Sequence, residues 1–60
     1  MSVRKFAKSV GFEVVGNLKY MGYESDDSGG FKWWLDEGGN EYYKNDNGSY
    51  CIVDSEGGVL

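Results

Sequence analysis

From residue 31 to residue 58 the chain alternates short aromatic or β-branched runs with clusters of Asp, Asn and Gly, and that rhythm limits the folds open to it. The runs are 31–35, 41–44 and 50–53; the clusters are Asp36-Glu37-Gly38-Gly39-Asn40, Asn45-Asp46-Asn47-Gly48 and residues 54–58. Runs of four or five residues have the length of strands, while Asp, Asn and Gly supply the local hydrogen bonds and positive φ angles of tight turns. The rhythm predicts an antiparallel meander of about three to four strands. Ten glycines and no proline point the same way.

The first residues follow a different period. Val3, Phe6, Ala7 and Val10 fall at i, i+3, i+4 and i+7, which sets them on one face of a short helix, with Arg4, Lys5 and Lys8 facing away. Ser2 is placed to cap its start and Gly11 its end. From Phe12 the pattern turns to alternation. Phe12, Val14, Leu18 and Tyr20 oppose Glu13, Val15, Asn17 and Lys19, which predicts a strand, or two strands broken at Gly16-Asn17, with Gly16 a bulge or a point of close approach. The segment 24–30 has no apolar residue and reads as a solvated loop.

Sixty residues make one domain, 1–60, and a chain this short leaves about 40% of its unfolded surface exposed. One cysteine and no histidine provide neither an internal disulfide nor the usual zinc ligands. The core must come from side chains, and ten aromatics supply it. The expected class is α+β: a short N-terminal helix packed on a small antiparallel sheet. Phe31, Trp33 and Leu35 are the expected inward set of their strand. Because Trp33-Trp34 and Tyr42-Tyr43 are adjacent pairs, each sends one ring to each face; Trp34 and one of the tyrosines are expected outside.

Charge is divided along the chain. Residues 1–19 carry Arg4, Lys5, Lys8 and Lys19 against Glu13, a balance of +3, whereas residues 20–60 carry nine carboxylates against Lys32 and Lys44, a balance of −7; together they give the chain's −4. Asp36, Asp46 and Asp54 stand at turn-initiating positions and are explained by backbone chemistry. Turn chemistry does not demand Glu24, Asp26, Asp27, Glu37, Glu41 or Glu56. If these acids gather at the ends of the sheet they form an acidic rim suited to a cationic partner. The expected partner-binding residues are Glu24, Asp26, Asp27, Asp36, Glu37, Glu41, Asp46, Asp54 and Glu56, with Trp34 as an anchor.

Other chemistries fit poorly. Aligning Gly48 with the sixth position of an EF-hand loop puts Tyr43 where an aspartate belongs and Asp54 where a bidentate glutamate belongs. Cys51 sits in an apolar run and reads as a small buried thiol; with no histidine to act as base, nucleophilic catalysis lacks its parts. No enzyme activity, cofactor or metal is expected. Three cations on the helix are few for binding DNA directly under a negative field. No apolar run reaches the ~20 residues of a membrane span, and the basic start lacks the apolar segment of a secretory signal, so the expected location is the cytoplasm.

Two resemblances bear on function. Trp33-Trp34-Leu35-Asp36-Glu37-Gly38-Gly39-Asn40-Glu41-Tyr42-Tyr43, followed by Asn47-Gly48-Ser49-Tyr50, is similar to the aromatic hairpins of choline- and glucan-binding repeats. In size, acidity and one-domain α+β layout, the chain resembles the small phage-encoded anti-CRISPR proteins and other DNA mimics. That resemblance implies inhibition by occupying a DNA-binding surface of a defence complex inside a bacterial host cell. The leading expectation is a non-enzymatic inhibitor, monomeric or weakly dimeric, whose carboxylates imitate duplex phosphates on a basic nucleic-acid-binding protein or complex. The alternatives are a carbohydrate- or peptide-binding module using outward Trp34 and Tyr43, or an acidic structural accessory domain.

Overall fold

A computed structural model describes residues 1–60 as one helix followed by four strands: α1 (Val3–Ser9), β1 (Lys19–Asp26), β2 (Gly29–Leu35), β3 (Glu41–Asn45) and β4 (Tyr50–Val53). The strands form one antiparallel sheet in sequence order, and α1 lies across one face of it. The fold is α+β, as its sequence predicts.

α1 ends where its caps dictate. The Ser2 hydroxyl accepts a hydrogen bond from the Lys5 N–H at 3.2 Å, satisfying one of the free donors of the first turn. At the other end Gly11 takes φ +76°, which lets the Phe12 N–H reach back to the Ala7 carbonyl at 2.8 Å. Val3 and Ala7 are buried and Phe6 packs against them, but Val10 lies past the last helical turn and is 46% exposed.

Residues 12–18 are extended without being a strand. Phe12, Val14 and Leu18 do turn inward, so the alternation is genuine. The ladder is missing because the partners lie on a loop: the Val15 N–H donates to the Asp36 carboxylate at 3.0 Å, the Glu37 N–H donates to the Val15 carbonyl at 2.9 Å, and the Asn17 N–H donates to the Glu37 carboxylate at 2.7 Å. Gly16, at φ +67°, is a point of close approach, since a Cβ there would lie 2.1 Å from the Glu37 carboxylate.

The segment 24–30 is not a loop. β1 and β2 run through it as one long hairpin, pairing Glu24 with Phe31, Ser25 with Gly30 and Asp26 with Gly29, so that Asp27-Ser28 alone makes the turn. A strand at the sheet edge needs backbone pairing and no apolar side chain, and Asp26 supports the turn by accepting from both the N–H and the hydroxyl of Ser28. Lower down, Met21 is inserted between Tyr20 and Gly22 as a bulge.

The facing of the tryptophan pair is opposite to expectation, while the tyrosine pair sends one ring to each face as expected, Tyr42 inward and Tyr43 outward. Register places Trp34, Tyr42 and Ile52 side by side on the helix-covered face, where Tyr42 and Ile52 are fully buried and Trp34 packs against them. Phe31, Trp33 and Leu35 therefore lie on the uncovered face. Tyr42 is held inside because its hydroxyl finds a buried acceptor, the Asp36 carboxylate at 2.7 Å.

Candidate partner-binding face

The open face is built from alternate residues of all four strands. Trp33 and Tyr43 are cross-strand partners whose rings stack at 5.9 Å with an 8° tilt, and Phe31 meets Tyr43 edge-on at 5.3 Å. Leu35, Cys51 and Val53 extend the apolar area, all half-buried. Cys51 is thus a free thiol beside Tyr43 and not the interior packing group expected.

Carboxylates border this platform. Glu24 stands opposite Phe31, and Glu41 stands opposite Leu35 and Val53 and accepts a hydrogen bond from the Tyr43 hydroxyl. Burial, that hydrogen bond, and the charges of Glu41, Glu24 and Cys51 together push the Tyr43 phenol up to about 12. The cations are elsewhere. Lys32 and Lys44 are on the helix-covered side, Arg4, Lys5 and Lys8 are on the segment that covers it, and Lys19 alone shares the open face, opposite Leu35. The division in space is not the division along the sequence: Lys32 and Lys44, from the acidic stretch, lie on the covered side, and Lys19, from the basic start, lies on the open one.

Of the remaining predicted acids only Asp26, two residues beyond Glu24 in β1, falls on this side, at its turn end and bonded to Ser28; the others do not join the face. Asp36, Glu37, Asp54 and Glu56 lie in the two turns at one end of the sheet, which meet where the Ser55 N–H donates to the Asn40 side chain at 2.8 Å. Asp26, Asp27 and Asp46 lie at the opposite end, where the Asp46 N–H pairs with the Gly30 carbonyl at 2.9 Å. Most are already engaged. Asp54 accepts the N–H groups of Glu56 and Gly58, Asp46 accepts the Tyr23 hydroxyl, and Glu37 accepts Asn17. Ser28 donors lower the pKa of Asp26, while the bond to Asp46 raises that of Tyr23.

Asp36 is the clearest departure from expectation, being 4% exposed and unable to meet a partner. One oxygen accepts the N–H groups of Gly38 and Asn40 at 2.9 Å; the other accepts Val15 at 3.0 Å and Tyr42 at 2.7 Å; the Asn40 amide reaches both. Burial alone would raise its pKa, yet the donors of Tyr42, Val15 and Asn40 outweigh burial and hold it well below the usual carboxylate range. Its own burial, and then the bond to Asp36 and the charge of that carboxylate, push the Tyr42 phenol far up. Trp34 is likewise a core-flanking residue and not an outer anchor. Of the predicted site residues, Glu24 and Glu41 share the open face with its aromatics, and Phe31 and Trp33 are what sequence reasoning left out of the site.

A flat π surface edged by carboxylates can seat a guanidinium or ammonium group by cation–π contact and hydrogen-bond it at the margin. No three Cys, Asp or Glu side chains are arranged to hold a metal ion, and no helix is long and apolar enough to cross a membrane. No protein family, no curated protein and no solved structure matches this chain.

Proposed function

We propose that the chain is a non-enzymatic binding protein whose open sheet face docks on a basic protein surface, seating arginine or lysine side chains over the Trp33–Tyr43 stack and against Glu24 and Glu41. The observation that carries this function is the placement of an aromatic platform and two carboxylates on a face with one cation, Lys19. Arginine suits such a seat better than lysine, because its planar guanidinium stacks on the rings while its N–H fork meets a carboxylate. A basic surface that binds DNA in a bacterial defence complex has this chemistry, and blocking it would make the chain an inhibitor. The support for that role is the compact patch around Glu24 and Glu41, and not a continuous rim of nine acids.

Titration with an arginine-rich octapeptide, followed by tryptophan fluorescence, tests the proposal. Trp33→Ala and the pair Glu24→Gln/Glu41→Gln should each weaken binding about tenfold or more while far-ultraviolet circular dichroism stays unchanged. Asp27→Asn/Glu56→Gln, at the two ends of the sheet, should leave it alone. Affinity should fall steeply from about 50 to about 500 mM salt. Equal binding of a glutamate-rich peptide, insensitivity to salt as for a stacked sugar, or burial of Trp33 in a stable homodimer would each overturn it.

A further inference from the structure

On the covered side of the sheet, the start of α1 and the strands beneath it enclose a cleft of about 380 Å³, bounded by Arg4, Leu18, Lys32, Trp34, Lys44 and Tyr50 among others. That volume is within the ~300–1,000 Å³ of small-ligand sites. Its chemistry is the reverse of the open face: three cations surround aromatic walls. Lys32 and Lys44 are direct cross-strand partners, with Cβ atoms about 5 Å apart, an unfavourable pairing of like charges that an anion between the two side chains would relieve. The carboxylates of the fold take their hydrogen bonds from backbone N–H groups and from tyrosine, serine and asparagine side chains, so they leave these ammonium groups available.

The walls are braced. Tyr20 packs on Trp34 at 5.4 Å and Phe6 stacks on Tyr50 at 5.1 Å, while Lys44 Nζ stands 5.7 Å from the Tyr50 ring centroid. Arg4 is oriented by its bond to the Gly16 carbonyl at 3.1 Å, which leaves its other donors free. Side chains already held in place lose little freedom when a ligand arrives. Beside the lysines, Asp46 borders a smaller hollow together with Lys32 and Lys44 and is already bonded to Tyr23. Near Arg4, the carboxylates of Asp36 and Glu37 are engaged by the N–H groups of Val15 and Asn17.

We propose that this cleft binds a small aromatic anion, a flat ring seated against Trp34 that carries a phosphate or carboxylate group between Lys32, Lys44 and Arg4. The site is independent of the docking face. The test is a ¹H–¹⁵N titration of the full chain with adenosine monophosphate, with indole-3-acetate, and with neutral adenosine. Either anion should shift the Trp34 indole and the Lys32 and Lys44 amides while the Trp33 indole stays put, and adenosine should bind at least about tenfold more weakly. Lys32→Gln/Lys44→Gln replaces an exposed and a half-buried lysine by neutral side chains of similar length, should keep the fold, and should weaken anion binding about tenfold, without weakening binding of the arginine-rich peptide. No shift from either anion up to about 10 mM, a range that reports even millimolar affinity, would overturn the proposal. So would equal binding of adenosine, unchanged binding by the double variant, or shifts confined to the Trp33 face.

Discussion

Replacing Asp36 by asparagine keeps the shape of the side chain and removes its charge, and the structure gives the consequence a size. Both carboxylate oxygens face donors: Gly38 and Asn40 N–H on one side, Val15 N–H and the Tyr42 hydroxyl on the other, with the Asn40 amide spanning both. Whichever way the new amide turns, its NH₂ confronts at least one backbone N–H. Tyr42 can rotate its hydroxyl to accept, but Val15, Gly38 and Asn40 cannot, and flipping the Asn40 amide would forfeit the bond from Ser55. Hydrogen bonds to a charged acceptor contribute about 1.5–3 kcal/mol each against about 1 for neutral ones, and a stranded buried donor costs about 1–3 more. The sum for Asp36→Asn is roughly 3 kcal/mol. A 60-residue domain has about 3–9 kcal/mol in total, so the variant should sit at or near the edge of folding. With a urea slope of about 1 kcal/mol per molar, the midpoint read by tryptophan fluorescence should fall by about 3 M, or the chain should be unfolded without urea. A fall of less than about 1 M would refute the assignment of Asp36 as the organising acceptor. The pH dependence has a definite sign. The folded-state pKa of Asp36 is depressed, so its stabilisation is complete above the ordinary carboxyl value of about 4 and is lost as pH falls below that toward the folded value.

Gly16→Ala should destabilise the domain by about 1–2 kcal/mol in the same urea assay: the new Cβ displaces the Glu37 carboxylate from Asn17, and φ +67° strains any residue but glycine. Glu41→Gln should lower the pKa of the Tyr43 phenol from about 12, because it removes a facing charge while the ring stays buried; ultraviolet difference titration reads this, and an unmoved phenol would show that Glu41 does not act on it.

Much of the architecture was legible because it depends on local chemistry. The Ser2 and Gly11 caps, the turns after β2, β3 and β4, and the α+β layout all follow from residues within a few positions of each other. The strand through 24–26 was not legible, since its only reason to be extended is backbone pairing with residues 29–31, which no side-chain pattern records. The facing of Trp33-Trp34 was also hidden: alternation is ambiguous when both neighbours are aromatic, and the deciding contact is a Tyr42 hydroxyl meeting a carboxylate six residues away. The acids of the candidate site divide on the same principle. Turn positions announced the backbone duties of Asp36 and Asp54, but only the register could show that Glu24 and Glu41 lie with Trp33 and Phe31, that Asp26 stands at the turn end of the same side, and that Asp27 and Glu56 do not join them.

The polypeptide that leads from helix to sheet packs inward through Phe12, Val14 and Leu18 and takes its hydrogen bonds to the sheet end at one corner, where Val15 and Asn17 exchange three hydrogen bonds with Asp36 and Glu37. Residues 1–18 also form the only layer over the core, with Val3 and Ala7 beside Ile52, Phe6 stacked on Tyr50 and Phe12 edge-on to Tyr42, so the sheet cannot shed this segment without uncovering its whole buried face. The amides of Val15 and Asn17, held by side-chain carboxylates and not by a strand ladder, will exchange ahead of those of Tyr42 and Ile52, whose opening requires loss of the core itself.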